Sequence, residues 1–362
     1  MDKDTPESLS PPLTIDVLLT TLRNNARSLR HLRALCPSLD TRNLLWRSLN
    51  CNFGQPPSTA VLDNLLRAAP GLKQVEVDIS VAAFDSSLFH NGVVCVRRLI
   101  VYDPRPASCS AFLADARRCS SLSELQLIGG LDAGNVEALL DFALNKPLTA
   151  LGLPFNLTPA TMPLLTRFLS EGSLTTLEVW YTEGELAPLP TFCAAVAAAP
   201  LVRLYYAHAG LFDTLTAGLS LLAAVTGHPT LRHLALSGNP VTQAGRAAVG
   251  AALGLLVAAD SPLITLDIKT CGLGNDGLLP FIDALPVSDT RLLHLICEEN
   301  EFTQLTATRL LAAVRAKASL INLSVAIEVW GYTPGERILI PDELIEAEAL
   351  VYARARRGVR PK

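Results

Sequence analysis

Ten stretches of this chain share one pattern: an apolar residue, two free positions, a second apolar residue, one free position, and a third. They begin at Leu72, Val96, Leu122, Leu148, Leu174, Leu201, Leu231, Leu263, Leu292 and Leu320, with 24 to 32 residues from one start to the next. A period of that size describes a solenoid, in which each repeat is one supersecondary unit that buries its apolar face only by stacking on its neighbours. Nothing else in the sequence restricts the fold as strongly. A length of 362 residues would otherwise suggest two or three globular domains.

Counting from the first apolar residue, each triplet fits a short strand with positions 4 and 6 pointing inward and positions 3, 5 and 7 outward. An apolar stretch of helical period follows. In the unit from Leu292, Thr303 is placed to cap a helix in which Leu305, Leu310, Leu311 and Val314 recur at helical spacing. In the unit from Leu231, Thr242 precedes an alanine-rich helix whose Ala248, Ala252, Leu253 and Leu256 are expected to face the strand. Strand, helix and next parallel strand form a crossover whose usual hand is right.

The ninth position holds Asn156, Asn239, Cys271 and Asn300, with Ser80 and Thr182 as weaker versions. The strand turns sharply there, and an Asn side chain supplies both a donor and an acceptor for buried backbone groups. A ladder of such residues down the stack is a structural device, and no catalysis is assigned to it.

The run from Leu231 to Leu253, LRHLALSGNPVTQAGRAAVGAAL, resembles the leucine-rich repeat family, and units of this length resemble its ribonuclease-inhibitor-like class. The resemblance covers about residues 72 to 328. It departs from the family pattern at Pro104 and Gly130, which stand at the ninth position of the Val96 and Leu122 units. It implies a right-handed α/β horseshoe of about 10–11 repeats, with parallel strands on the concave face and helices on the convex face. An eleventh unit starts at Trp46, 26 residues before Leu72, with Leu49 and Cys51 on the pattern. The implied division is an N-terminal helical cap at 1–45, a solenoid at 46–328 and a C-terminal cap at 329–362. The last includes a helix after Pro341 that is acidic first and basic last.

Composition excludes several function classes. A net charge of −4 gives no basic field for nucleic acid. The longest apolar run, Ala247 to Ala259, is too short for a membrane span and contains two glycines. The start, MDKDTPESLSPPL, is not a secretory signal peptide. None of the eight cysteines forms a metal-ligand spacing, and they read as buried thiols in a reducing compartment. No nucleophile elbow, zinc-protease, P-loop or dinucleotide motif is present. The glycines of GLGNDG at Gly272–Gly277 fall where a repeat turns into its helix. His233 and His294 share position 3 but lie two repeats apart, too far for one metal, and His208 has no evident carboxylate to orient it. The chain is therefore expected to be no enzyme and to hold no cofactor or metal.

A solenoid offers a surface, and here that surface is uneven. Aromatic residues make up only 6% of the chain, yet Tyr102, Trp180, Tyr181 and Tyr205 fall on or beside outward strand positions, with Glu178 and Arg203 as neighbours. Trp, Tyr and Arg dominate interface hot spots, which points to a protein partner on the concave face. The competing reading is that these aromatics simply pack on each other. The repeat class also includes ribonuclease inhibitors and activators of small GTPases. A polar start and the Arg-rich, alanine-rich composition of a GC-rich genome fit a bacterial effector delivered into host cells. The location is then cytoplasmic, or host-translocated for an effector. Neither the partner nor the oligomeric state is legible at this stage.

Overall fold

The computed structural model describes residues 48–49, 74–78, 98–102, 113, 122–128, 133–154, 162–180, 190–260, 262–286, 292–325 and 342–356. The chain divides into two compact units, Met1–Leu125 and Gln126–Lys362. In the first unit, β1 (Ser48–Leu49), β2 (Gln74–Asp78) and β3 (Arg98–Tyr102) pair in parallel. Ser48 lies opposite Gln74, the register that a repeat starting at Trp46 requires. Strand β4 (Glu124–Ile128) spans the junction between the units.

The second unit alternates strand and helix. After β4 come α1 (Ala133–Leu144), β5 (Ala150–Pro154), α2 (Met162–Glu171), β6 (Thr176–Trp180), α3 (Pro190–Ala198) and β7 (Arg203–Ala207). Then follow α4 (Leu215–Val225), β8 (His233–Ala235), α5 (Arg246–Ala258), β9 (Thr265–Asp267), α6 (Gly274–Ala284), β10 (His294–Ile296), α7 (Gln304–Ala316), β11 (Asn322–Ser324) and α8 (Asp342–Arg356). Each strand from β5 to β11 pairs in parallel with the next, position 3 against position 3: Ala150, Thr176, Arg203, His233, Thr265, His294 and Asn322. This is an α/β repeat solenoid.

The period-two alternation decides which side is core. Leu177, Val179, Leu204 and Tyr206, at positions 4 and 6, are buried. The Phe192 ring of α3 lies 6.3 Å from that of Tyr206, which fixes the helix layer on this side of the sheet. Positions 3, 5 and 7 face the other way and form the open face.

At the ninth position, Asn239 and Asn300 are fully buried. The Asn239 amide donates to the carbonyls of Tyr206 (2.6 Å) and Leu236 (2.8 Å), and its oxygen accepts from the N–H groups of Ala209 and Leu211, both at 3.0 Å. Asn300 repeats the scheme, donating to Ile268 and Cys297 and accepting from Leu273. The Cys271 thiol donates to Leu236 at 3.3 Å. Each side chain therefore reaches the position-6 carbonyl of the preceding repeat, and the ladder links three successive turns. Asn156, Ser80, Thr182, Pro104 and Gly130 lie outside the described residues.

One position earlier, the chain takes the left-handed conformation in every one of these units: His208 (φ 51), Gly238 (φ 67), Thr270 (φ 56) and Glu299 (φ 55). Glycine adopts it without steric cost; the other three are held there by the turn.

Two sequence expectations about helix faces need correction. Helix α5 buries Val249, Gly250, Leu253, Gly254, Leu256 and Val257. Ala248 is exposed and Ala252 half-buried. The contact with α6 is made by glycine rather than alanine: a Cβ on Gly250 would stand 2.1 Å from the Gly277 carbonyl oxygen. In α7, Leu305 is exposed, while Thr306, Ala307, Leu310, Leu311 and Val314 are buried. The N-terminus of α7 explains this, because Thr306 turns inward to accept the Thr303 N–H at 2.9 Å and so takes the place expected for Leu305.

Helix α8 closes the C-terminal end. Leu344, Ala347 and Val351 are buried, and Glu348 accepts the edge N–H of Val325 at 2.8 Å. Residues 1–45, and the WGYTPGERILIP segment before α8, lie outside the described residues. No helix among the described residues is long and apolar enough to cross a membrane.

Candidate functional site on the open strand face

Parallel register brings consecutive repeats side by side, so that outward residues distant in sequence become neighbours. Trp180 at position 7 of β6 and Tyr205 at position 5 of β7 are diagonal neighbours, and their rings stack with centroids 5.9 Å apart and planes 15° from parallel. Both are half-buried. The two aromatics do pack on each other, as the competing sequence reading has it, but each stays partly exposed. The Trp180 indole N–H is shielded from solvent and meets no acceptor among the described residues. Buried indole N–H groups ordinarily find one.

Glu178 stands beside this pair. Its carboxylate accepts a hydrogen bond at 2.8 Å from the Gln126 amide, two strands away. The intervening residue is Gly152, where a Cβ would come within 2.6 Å of Gln126 Cγ. Gln126 thus crosses the sheet over a missing side chain. Arg203, at the start of β7, is exposed. Burial pushes the Tyr205 hydroxyl above its ordinary pKa; the Arg203 charge opposes this, and Glu178 and Asp267 add to it.

Four of the six expected site residues, Glu178, Trp180, Arg203 and Tyr205, share the face of two paired strands. Tyr102 ends β3 in the other unit, and its side chain is outside the described residues. Tyr181 is likewise outside them. Beyond this patch the relief drops: Ala207 and Ala235 are buried although they face outward. Trp180 stands opposite Ala207, and Tyr205 and Asp267 stand opposite Ala235.

A second, charged cluster follows on β9 to β11. Lys269 Nζ lies 2.6 Å from Glu298 and 3.7 Å from Glu299, and Ser324 donates a hydrogen bond to Glu298. Asp267 accepts the Lys269 N–H at 2.9 Å, and burial raises its carboxyl above the usual range. Gln126, Asp267, Lys269 and Glu298 were not singled out from the sequence. Aligning position 5 with position 5 and position 7 with position 7 places Gln126–Gly152–Glu178 and Lys269–Glu298 in adjacent columns, which is the signal that finds them.

His208 and His233 behave as partly exposed polar groups with neighbours. His233 Nδ1 lies 3.0 Å from the Thr265 hydroxyl. His208, expected to have no carboxylate near it, feels the charge of Asp267. Burial holds both imidazoles below their ordinary pKa; for His233, Arg203, His294 and Arg232 push the same way. In the unfolded chain a histidine titrates near about 6.5. Below that pH the unfolded chain takes up protons that the folded chain resists, so stability is intact above this value and falls as pH drops through it. The thermal midpoint is therefore expected to decrease from pH 7 to pH 5, and His233→Gln to flatten that decrease. An unchanged pH profile in the variant would remove His233 from the account.

Cys193, Cys271 and Cys297 are buried free thiols, and burial pushes Cys271 up to about 12. A thiol so raised is a poor nucleophile.

No protein-family model matches the chain, and no curated protein matches it. Among solved structures, the tropomodulin C-terminal domain of Caenorhabditis elegans is similar at 12% identity and a TM-score of 0.33, over 54% of this chain and 96% of that one. Leiomodin-1 actin-binding site 2 is similar at 12% identity and a TM-score of 0.37, over 48% and 92%. The TLR13 chain of a complex with ssRNA13 is similar at 14% identity and a TM-score of 0.30, over 80% of this chain and 33% of its own. At these scores none informs what this chain binds.

Proposed function

We propose that this chain is a non-catalytic interaction protein of the leucine-rich repeat type, ribonuclease-inhibitor-like class, which grips another protein on its concave strand face around Trp180 and Tyr205. The observation that carries this reading is the stacked, partly exposed Trp180–Tyr205 pair on the open strand face. The exposed parts of the two rings would provide apolar contact area for a partner. Exposed Arg203 and the Glu178–Gln126 pair give the patch a charged rim of both signs, the arrangement that sets orientation in protein interfaces.

The test is a pull-down with the intact chain, followed by titration of the purified captured partner against the wild type and the Trp180→Ala/Tyr205→Ala variant. Truncating hot-spot aromatics costs roughly 2–4 kcal/mol, so affinity is expected to fall by about 30-fold or more. Circular dichroism should be unchanged, since neither residue belongs to the core. Equal affinity for wild type and variant would overturn this reading.

A further inference from the structure

The last helix carries a surface that the repeat architecture leaves unmatched. Helices α5, α6 and α7 each pack against the helix before and the helix after. Helix α8 packs on α7 and β11, and among the described residues no helix lies beyond it. Its attachment is specific. Leu344, Ala347 and Val351 are buried, and Arg315 pairs with Glu346 at 2.5 Å. Arg354 donates to the carbonyls of Val314 and Lys317, at 2.8 and 2.9 Å, covering the C-terminal turn of α7. These contacts determine the rotation of α8 about its own axis, and with it the side turned outward.

That outward side has an order of its own. Asp342, Ile345, Ala349, Tyr352 and Arg356 follow one another at steps of three, four, three and four residues, and all five are exposed. Ile345 is 56% exposed and Tyr352 60%. Alternating steps of three and four define the seam along which two helices pack side by side. A solvated helix has no use for a bulky Ile and Tyr on such a seam, whereas Ala349 midway between them allows close approach of a second backbone. The Arg356 guanidinium lies over the Tyr352 ring, 4.8 Å from its centroid, and ends the stripe with a positive charge. Asp342 begins it with a negative one.

We propose that α8 pairs antiparallel with α8 of a second copy of this chain across a two-fold axis near Ala349. Charge decides both the occupant and the direction. A parallel mate would set Asp342 against Asp342 and Arg356 against Arg356. An antiparallel copy sets acid against base at both ends, brings Ile and Tyr of the two copies together between them, and opposes the helix dipoles. A surface complementary to its own two-fold image is what an isologous dimer requires. The seam is about 22 Å long at 1.5 Å per residue, at the small end of specific interfaces, so the dimer is weak. The pairing lies at the end of the solenoid and does not depend on what the open strand face binds.

Sedimentation velocity of the full chain from about 1 μM to about 200 μM, a range that brackets such small interfaces, reads the equilibrium. A concentration-dependent monomer–dimer shift is expected, and it should vanish in Ile345→Glu/Tyr352→Glu. These positions are exposed, so the thermal midpoint should stay put and exclude unfolding as the cause. The charge swap tests direction: Asp342→Arg alone weakens the dimer, and Asp342→Arg/Arg356→Asp restores it. A chain monomeric throughout this range, a dimer indifferent to Ile345→Glu/Tyr352→Glu, or a double swap that fails to restore association would each overturn the proposal. The first of these would leave the stripe to a different protein.

Discussion

Asn239→Ala is expected to destabilise the fold by about 4 kcal/mol, the largest effect of any single side-chain truncation in the ladder. Removing the amide takes a hydrogen bond from four buried backbone groups at once, the carbonyls of Tyr206 and Leu236 and the N–H groups of Ala209 and Leu211, of which the Leu236 carbonyl keeps the Cys271 thiol. Each buried unsatisfied group costs roughly 1–3 kcal/mol, and partial relaxation or an entering water offsets some of the sum. Cys271→Ala is the internal control. Its thiol makes a 3.3 Å contact with Leu236, and the Val241 N–H of the preceding turn is bonded to the Cys271 backbone carbonyl at 2.9 Å rather than to the side chain. Its loss is expected to cost about 1 kcal/mol. Denaturant unfolding of the two variants measures the contrast directly. Similar losses, or an Asn239→Ala cost below about 1 kcal/mol, would mean that the ladder merely accompanies the turns.

The second large effect is expected on the helix side. Gly250→Ala puts a methyl group 2.1 Å from the Gly277 carbonyl oxygen and 2.6 Å from its Cα, and both are backbone atoms that no rotamer change can move. Helices α5 and α6 must separate, and the leucines packed beside them lose contact. Overpacking usually costs 1–3 kcal/mol when side chains can yield, so a clash with backbone is expected to reach about 3 kcal/mol or more. Gly277→Ala is milder, because its nearest atoms, the Arg246 carbonyl oxygen and Leu273 Cβ, stand at 3.0 Å. The predicted order, Gly250→Ala worse than Gly277→Ala, is read from thermal midpoints. The reverse order would show that α5 and α6 approach each other at a different place.

The two predictions bear on how much was legible beforehand. Strand phase was, because the triplet has a clear contrast: apolar residues, mostly Leu or Val, at positions 1, 4 and 6 against mainly polar residues at 3 and 5. Every strand from β2 to β11 begins at position 3. The ninth-position ladder was also legible, since an Asn after an apolar strand has one obvious use. Helix faces were less so. The α5 segment RAAVGAALGLLVA is apolar on all sides, and a period cannot be read where there is no contrast. The left-handed residue at position 8 is announced only by Gly238. His208, Thr270 and Glu299 give no such sign, because the turn imposes that conformation on whatever residue stands there.

At the candidate site, outward placement of Glu178, Trp180, Arg203 and Tyr205 followed from the phase. What did not follow was anything set by side-chain rotamers. The reach of Gln126 over Gly152 depends on an absence two strands away from its target. The stacking of Trp180 on Tyr205 depends on which of two diagonals the rings choose. The proximity of His208 to Asp267 joins residues two repeats apart, which no local pattern records.

The constant strand register has one more consequence. From Arg203 to His233, Thr265, His294 and Asn322 the chain takes 30, 32, 29 and 28 residues, yet each lands opposite its predecessor. Differences in unit length are absorbed among helices and turns and never reach the open face. An insertion of a few residues behind the sheet is thus silent in front of it. Scaffold and recognition surface can drift independently, and two descendants of such a chain could differ widely in length while presenting the same columns of side chains.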